Sequence, residues 1–202
     1  MDLNAPLASL LSPLEASAMS VLARADTDFT GRQVARLAGG QNPNGIRLAL
    51  LRLAATGLVN VRPEPHSTRY RANRDHLLWP AIQVALNSET ELERRIAMFV
   101  EGVGVPGITV AVYGSVARRE ATAASDLDLL VVLPDGMDAG AQDGFNLRLA
   151  ELVTIWTGNE TQVYSLSVSA LRSQFHAHDP IVDHWLIDAR TIVGSTVREL
   201  IS

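Results

Sequence analysis

Two short groups of polar residues stand in the middle of the chain, each beside an apolar segment. Gly114 and Ser115 follow "ITVAVY", and after ten further residues Asp126 and Asp128 alternate at the start of "DLDLLVVL". Both apolar segments are typical of buried strands, and because side chains alternate along a strand the two aspartates share a face. Carboxylates so close together raise each other's pKa unless a cation neutralises them, and Mg²⁺ prefers such oxygen ligands. The spacing therefore predicts a Mg²⁺ site at Asp126 and Asp128.

The residues around the Gly-Ser pair are suited to phosphate. Gly114 allows a close backbone approach, Ser115 offers a hydroxyl, and Arg118 and Arg119 follow within reach of a triphosphate tail. Together with two metal ions held by carboxylates, these groups suit in-line attack on the α-phosphorus of a nucleoside triphosphate. The expected reaction transfers a nucleotide and releases pyrophosphate.

The stretch "GSVARREATAASDLDLLVV" resembles the DNA polymerase beta-like nucleotidyltransferases, most closely their minimal bacterial members. The resemblance covers about residues 90 to 200 and implies a mixed sheet flanked by helices, with Mg²⁺ as cofactor and ATP as the expected nucleotide. It also implies a third carboxylate on a later strand, within "TGNETQVYSLSVSAL". There Glu160 is followed by Gln162, where an acid is expected. Either Glu160 serves as the third catalytic carboxylate, or the domain binds nucleotide and reacts poorly or not at all.

The first 74 residues have the pattern of a winged helix-turn-helix. Ser12 and Pro13 are expected to begin one helix, and Thr30 with Gln33 forms a capping box for a second. A third helix, for which Asn44 is a candidate cap, precedes two strand-like segments, "LVNVRP" and "STRYRA", separated by "EPH". The predicted fold class is thus α+β, with a winged helix-turn-helix followed by a nucleotidyltransferase-fold sheet.

Charge favours a polyanionic partner for this first module. Through Arg74 the chain has nine arginines and five acids, whereas the remainder has eight arginines and seventeen acids. The resemblance to bacterial winged-helix domains makes Arg47, Arg69 and Arg71 candidate DNA contacts, with Arg47 on the recognition helix and the other two on the wing. Winged helices also serve as protein-docking or dimerisation modules, so that alternative stays open.

The expected organisation is a winged helix over residues 1–74, connecting helices over 75–101 and a nucleotidyltransferase domain over 102–202. The sequence contains no cysteine, which excludes disulfides and thiolate metal sites. No apolar run is long enough to span a membrane and the first residues lack a signal-peptide pattern, so a cytoplasmic protein is expected. His176, His178 and His184 have poor spacing for a metal site.

Two functions are compatible with these modules. The first is a Mg²⁺-dependent nucleotidyltransferase that modifies a protein hydroxyl, an RNA end or a small molecule, with the winged helix binding DNA or a partner. The family that the sequence resembles includes small proteins that belong to toxin-antitoxin systems and modify a partner. The second is a transcriptional regulator or antitoxin-like protein whose degenerate second domain senses a nucleotide. An aminoglycoside-modifying enzyme is disfavoured by the winged helix, and homodimerisation stays open.

Overall fold

The structure is a computed structural model that describes residues 1–122 and 124–202. These residues form two units, one comprising Ala5–Ser88 and the other Met1–Asn4 together with Glu89–Ser202. The region 75–101, expected to connect the modules, contains two helices that fall mainly in different units. Within the described residues, no helix is both long and apolar enough to cross a bilayer.

The first unit contains four α-helices and a small antiparallel sheet. After a 3-10 turn at Pro6–Ser9, its elements are α1 (Pro13–Ala23), β1 (Phe29–Thr30), α2 (Gly31–Leu37), α3 (Pro43–Ala55), β2 (Val59–Glu64), β3 (Ser67–Ala72) and α4 (Trp79–Leu86). The strand order is β1-β3-β2, and the two-residue turn between β2 and β3 forms the tip of the wing. Three helices followed by such a hairpin are the predicted winged-helix arrangement.

Local capping explains where these helices begin. The backbone N–H of Gln33 donates to the Thr30 hydroxyl at 3.2 Å, and the Gln33 side chain accepts from the Thr30 N–H at 2.8 Å. The cap of α3 differs from the expectation, because Asn42 and not Asn44 occupies it: the Asn42 side chain accepts from the Asn44 N–H at 2.9 Å. Pro43 fits the first helical position because its missing N–H would have no partner there.

The second unit is built around a four-stranded mixed sheet. Its elements are α5 (Ser88–Val103), β4 (Thr109–Tyr113), α6 (Gly114–Ala117), β5 (Leu127–Leu133), α7 (Ala139–Thr157), β6 (Thr161–Ser167), α8 (Val168–His176), α9 (Pro180–Asp188), β7 (Arg190–Val193) and α10 (Val197–Ile201). The order is β6-β5-β4-β7, with β5 and β6 parallel and the other pairs antiparallel. The mixed sheet with helices confirms the predicted α+β fold class.

Strand β5 is buried on both faces, so its polar residue, Asp128, can reach solvent only near an end of the strand. Leu127, Leu129 and Val131 pack with apolar residues of α5 and α7, whereas Leu130 and Val132 pack with residues of α8, α9 and α10. Because side chains alternate, Asp128 belongs to the same face as Leu130. It lies near the first residue of the strand, where the helices no longer exclude water completely.

Candidate active site

The structure places Asp126 and Asp128 at the beginning of β5. Asp126 precedes the strand and is exposed, while Asp128 is its second residue and is half-buried. In register, Asp128 lies between Tyr113 of β4 and Gln162 of β6. The two central strands therefore present this carboxylate where β4 turns into α6.

Gly114 contacts Asp128 so closely that no other residue fits without a change. Its φ is +71°, in the left-handed region, and a Cβ atom there would lie 2.6 Å from Oδ2 of Asp128. We expected Gly114 to allow a close approach of phosphate. The contact that the structure shows is with the carboxylate of Asp128, so the position of this carboxylate depends on the glycine.

The surroundings of Asp128 disfavour its charged form. Burial raises the pKa of its carboxyl, the nearby Asp126 raises it further, and Arg118 opposes both. The pKa of Tyr113 is also raised, first by burial and then by Asp128 and Tyr164. A bound cation would stabilise the carboxylates, and two oxygen donors on one face are a set that suits Mg²⁺.

The two candidate phosphate-binding arginines differ in their contacts. Arg118 donates to Asp188 at 2.7 Å and to Glu120 at 2.9 Å, so it is already paired with carboxylates. Arg119 is exposed and has a φ of +60°, and within the described residues it forms no ion pair. Arg119 is therefore the more available cation, and Arg118 would have to exchange partners to bind phosphate.

The third carboxylate is the incomplete part of the site. Gln162 pairs in register with Asp128, so an amide occupies the neighbouring position on β6. Glu160 lies just before β6, where its carboxylate accepts a hydrogen bond from Gln162 Nε2 at 3.2 Å. Across the parts of the chain that the structure describes, no group of three or more histidines and acids could hold a metal ion. Glu160 thus lies beside the pair but completes no three-acid cluster, and the three histidines form no metal site.

Four residues near the site were missed by the sequence reasoning. Tyr113 and Tyr164 pack edge-on against Trp185, with ring centroids 6.2 and 5.0 Å from it. Asp188 holds Arg118, and Asn159 donates to the Ser125 carbonyl at 2.9 Å, which ties the segment before Asp126 to the entrance of β6. The position of Tyr113 directly before Gly114 was a usable signal. The positions of Asp188 and Asn159 gave none.

In the first unit, the three candidate DNA contacts are not equivalent. Arg47 is exposed on α3 and forms no ion pair within the described residues. Arg69 pairs with Glu64 at 2.9 Å and Arg71 pairs with Asp26 at 2.7 Å. The two wing arginines lie two positions apart on β3 and share a face, but neighbouring carboxylates compensate their charge.

Residues 94–164, about a third of the chain, match the family model of the nucleotidyltransferase domain. The match extends from α5 into β6 and includes Gly114, Ser115, Asp126 and Asp128. This part of the chain is therefore a nucleotidyltransferase domain, which confirms the resemblance seen in the sequence. No curated protein matches the chain.

Among the solved structures that are similar to this chain, three illustrate the low sequence identity. A mutant of the toxin-antitoxin pair MntA–HpeT is 14% identical and has a TM-score of 0.38, over 54% of this chain and 80% of that one. A toxin-antitoxin structure with AMP-PNP is 17% identical, with a TM-score of 0.36 over 57% and 79%. TrmBL2, an archaeal chromatin protein with a novel mode of DNA binding, is 17% identical, with a TM-score of 0.31 over 87% and 72%. At these TM-scores the likenesses carry no argument about this chain.

Proposed function

We propose that this chain, which contains a nucleotidyltransferase domain, transfers a nucleotide from a nucleoside triphosphate, with ATP the expected one, in a Mg²⁺-dependent reaction. One observation carries the proposal: Asp128 is packed so tightly against Gly114 that a Cβ atom added to Gly114 would lie 2.6 Å from Oδ2 of Asp128. A purely structural turn does not require a half-buried carboxylate in that position. A metal-binding pair beside a phosphate-binding turn does.

Asp126 and Asp128 would hold Mg²⁺, which when bound neutralises phosphate charge and orients the triphosphate. Ser115 and Arg119 would bind phosphate oxygens, and Arg118 would join them by leaving Asp188. The oxygen of an acceptor hydroxyl forms a bond to the α-phosphorus while the bond from the α-phosphorus to the bridging oxygen breaks and pyrophosphate leaves.

Glu160 is the proposed acceptor of the proton lost from that hydroxyl. It is exposed, and its carboxylate is held by Gln162 on the strand beside Asp128. A general base has to reach the acceptor hydroxyl, and Glu160 directly precedes β6, the strand that pairs with the strand of Asp128. The acceptor itself is proposed to be a protein hydroxyl, an RNA end or a small molecule.

A second candidate function is a DNA-binding regulator whose nucleotidyltransferase domain senses a nucleotide without transferring it. The presence of Gln162 beside Asp128 favours this alternative, because an amide neither binds a metal as strongly as a carboxylate nor accepts a proton. In this case Arg47, exposed on α3, would contact DNA, and Arg69 and Arg71 would bind phosphates after leaving their carboxylate partners.

The two candidates are separated by nucleotide titrations. Each nucleoside triphosphate is titrated into the full chain by calorimetry, with and without Mg²⁺, and into the double variant Asp126→Asn, Asp128→Asn. A matched control, Asp143→Asn with Asp183→Asn, removes the same charge from exposed positions on α7 and α9. Binding that requires Mg²⁺ and is lost in the double site variant but not in the control, followed by label transfer to an acceptor, supports the enzyme. Binding of a nucleoside triphosphate without transfer to any acceptor supports the regulator. If the unaltered chain binds no nucleoside triphosphate, with or without Mg²⁺, both candidate functions are contradicted.

A further inference from the structure

A cavity of about 460 Å³ opens in the first unit, between the beginnings of α2 and α3 and the tip of the wing. The residues that matter in its lining are Thr30, Arg32, Arg47, His66, Ser67 and Tyr70. Its volume is within the range of small-molecule sites, which is about 300 to 1,000 Å³. We call it the wing cavity.

The wing cavity is lined by two arginines that form no ion pair within the described residues. Arg32 and Arg47 form no ion pair with any described residue, and no carboxylate belongs to the lining. The imidazole of His66 adds a group that can donate a hydrogen bond to an anion, whereas the hydroxyls of Thr30 and Ser67 already donate to Gln33 at 3.0 Å and to Glu64 at 3.3 Å. The cavity is therefore built for a ligand with negative charge and several acceptor oxygens.

The arginines on the wing strands do not extend this positive charge into a stripe. Arg62 pairs with Asp28 at 2.8 Å, Arg69 pairs with Glu64, and Arg71 pairs with Asp26. A duplex presents phosphates spread along its backbone, whereas the wing strands offer no unpaired arginine in the described residues and Arg32 and Arg47 face one concave site. The distribution favours a compact anion over an extended one.

We propose that the wing cavity binds a phosphorylated small molecule of mononucleotide size, with Arg32 and Arg47 holding its phosphates. Arginine binds phosphate through two parallel N–H donors, and the exposed Pro43, with the small accessible part of the buried Tyr70, provides apolar surface for the remainder of the ligand. This site lies in a different unit from Asp126 and Asp128. It does not depend on the proposed transfer reaction.

The test uses the full chain carrying Asp126→Asn and Asp128→Asn, in EDTA, so that the nucleotidyltransferase domain is silenced. ATP and inorganic tripolyphosphate are titrated separately and followed by calorimetry. We expect saturable binding of both with one site per chain, weakened about tenfold or more by either Arg32→Gln or Arg47→Gln. Arg24→Gln and Arg36→Gln are the matched controls, since both side chains are exposed, form no ion pair in the described residues and lie outside the cavity.

Three results would overturn the proposal. The first is that neither ATP nor tripolyphosphate binds saturably, while thermal unfolding shows that the chain is folded. The second is equal weakening by the control substitutions, which would mean that only net charge matters. The third is binding of duplex DNA that requires Arg32 and Arg47 while neither probe binds, which would assign the cavity to a nucleic acid backbone.

Discussion

Replacing Gly114 by alanine tests the contact on which the candidate active site depends. The new Cβ would lie 2.6 Å from Oδ2 of Asp128, 3.5 Å from its Cγ and 3.7 Å from its Cβ. Only the end of the aspartate is in the way, so the side chain can rotate to relieve the contact. The cost to the fold is then small, whereas the carboxylate leaves its position.

The magnitudes follow from this geometry. A residue with a Cβ in the left-handed region costs about 1–2 kcal/mol, and we expect the free energy of unfolding to fall by that amount. The carboxylate oxygen has to move by roughly 1 Å to reach an ordinary contact, and a misplacement of that size lowers the rate of an enzyme by about 100-fold. We therefore expect a small loss of stability and a large loss of Mg²⁺-dependent nucleotide binding and transfer.

Gly104→Ala is the matched control, because Gly104 has the same φ of +71° and nothing lies within 4 Å of its added Cβ. Urea unfolding should give similar losses of stability for the two variants. Calorimetric titration with Mg²⁺ and ATP should show weakened binding only for Gly114→Ala. Equal nucleotide binding by both variants would mean that the contact between Gly114 and Asp128 has no part in the site.

Three further predictions concern stability and ligand access. Asp128→Asn should stabilise the protein by an amount that grows as the pH rises from acid to neutral. Burial and the neighbouring carboxylate raise the pKa of Asp128, so its ionisation lowers the free energy of unfolding, and asparagine removes this loss. Thermal unfolding at several pH values measures the effect. Asp188→Ala should tighten nucleoside triphosphate binding several-fold, because Arg118 would then keep only its pair with the exposed Glu120. The free energy of unfolding should change by less than about 1 kcal/mol, and titration and urea unfolding measure the two effects. Leu149→Ala, at a fully buried position of α7, should lower the free energy of unfolding by about 2–5 kcal/mol, against less than about 0.5 kcal/mol for the exposed Leu147→Ala.

Local chemistry made much of the fold predictable. The period of two in "DLDLLVVL" places Asp126 and Asp128 on one face whatever packs against the strand. The capping box at Thr30 and Gln33 likewise depends on residues three positions apart. For α3 the sequence offered two asparagines, and the proline between them decides in favour of Asn42.

Contacts between distant parts of the chain could not be predicted in this way. Arg71 meets Asp26 across 45 residues, and Arg118 meets Asp188 across 70. A single sequence shows that an arginine lies on an exposed face but not which carboxylate folds against it. For the same reason Arg32, which has no ion pair in the part of the chain that the structure describes, was not recognised as a candidate binding residue, although it is adjacent to a predicted helix start.

The most direct test of nucleotide transfer compares ATP labelled at the α-phosphate with ATP labelled at the γ-phosphate. Each is incubated with Mg²⁺, the purified chain and a cell extract that supplies acceptors, and macromolecular and small-molecule products are separated. Our account predicts an acceptor that is labelled from the α-phosphate but not from the γ-phosphate. The unaltered chain and the double control variant (Asp143→Asn with Asp183→Asn) should both form this product. The double site variant (Asp126→Asn with Asp128→Asn) should not form it. Equal α-phosphate labelling with the site variant, or labelling from the γ-phosphate alone, would contradict it.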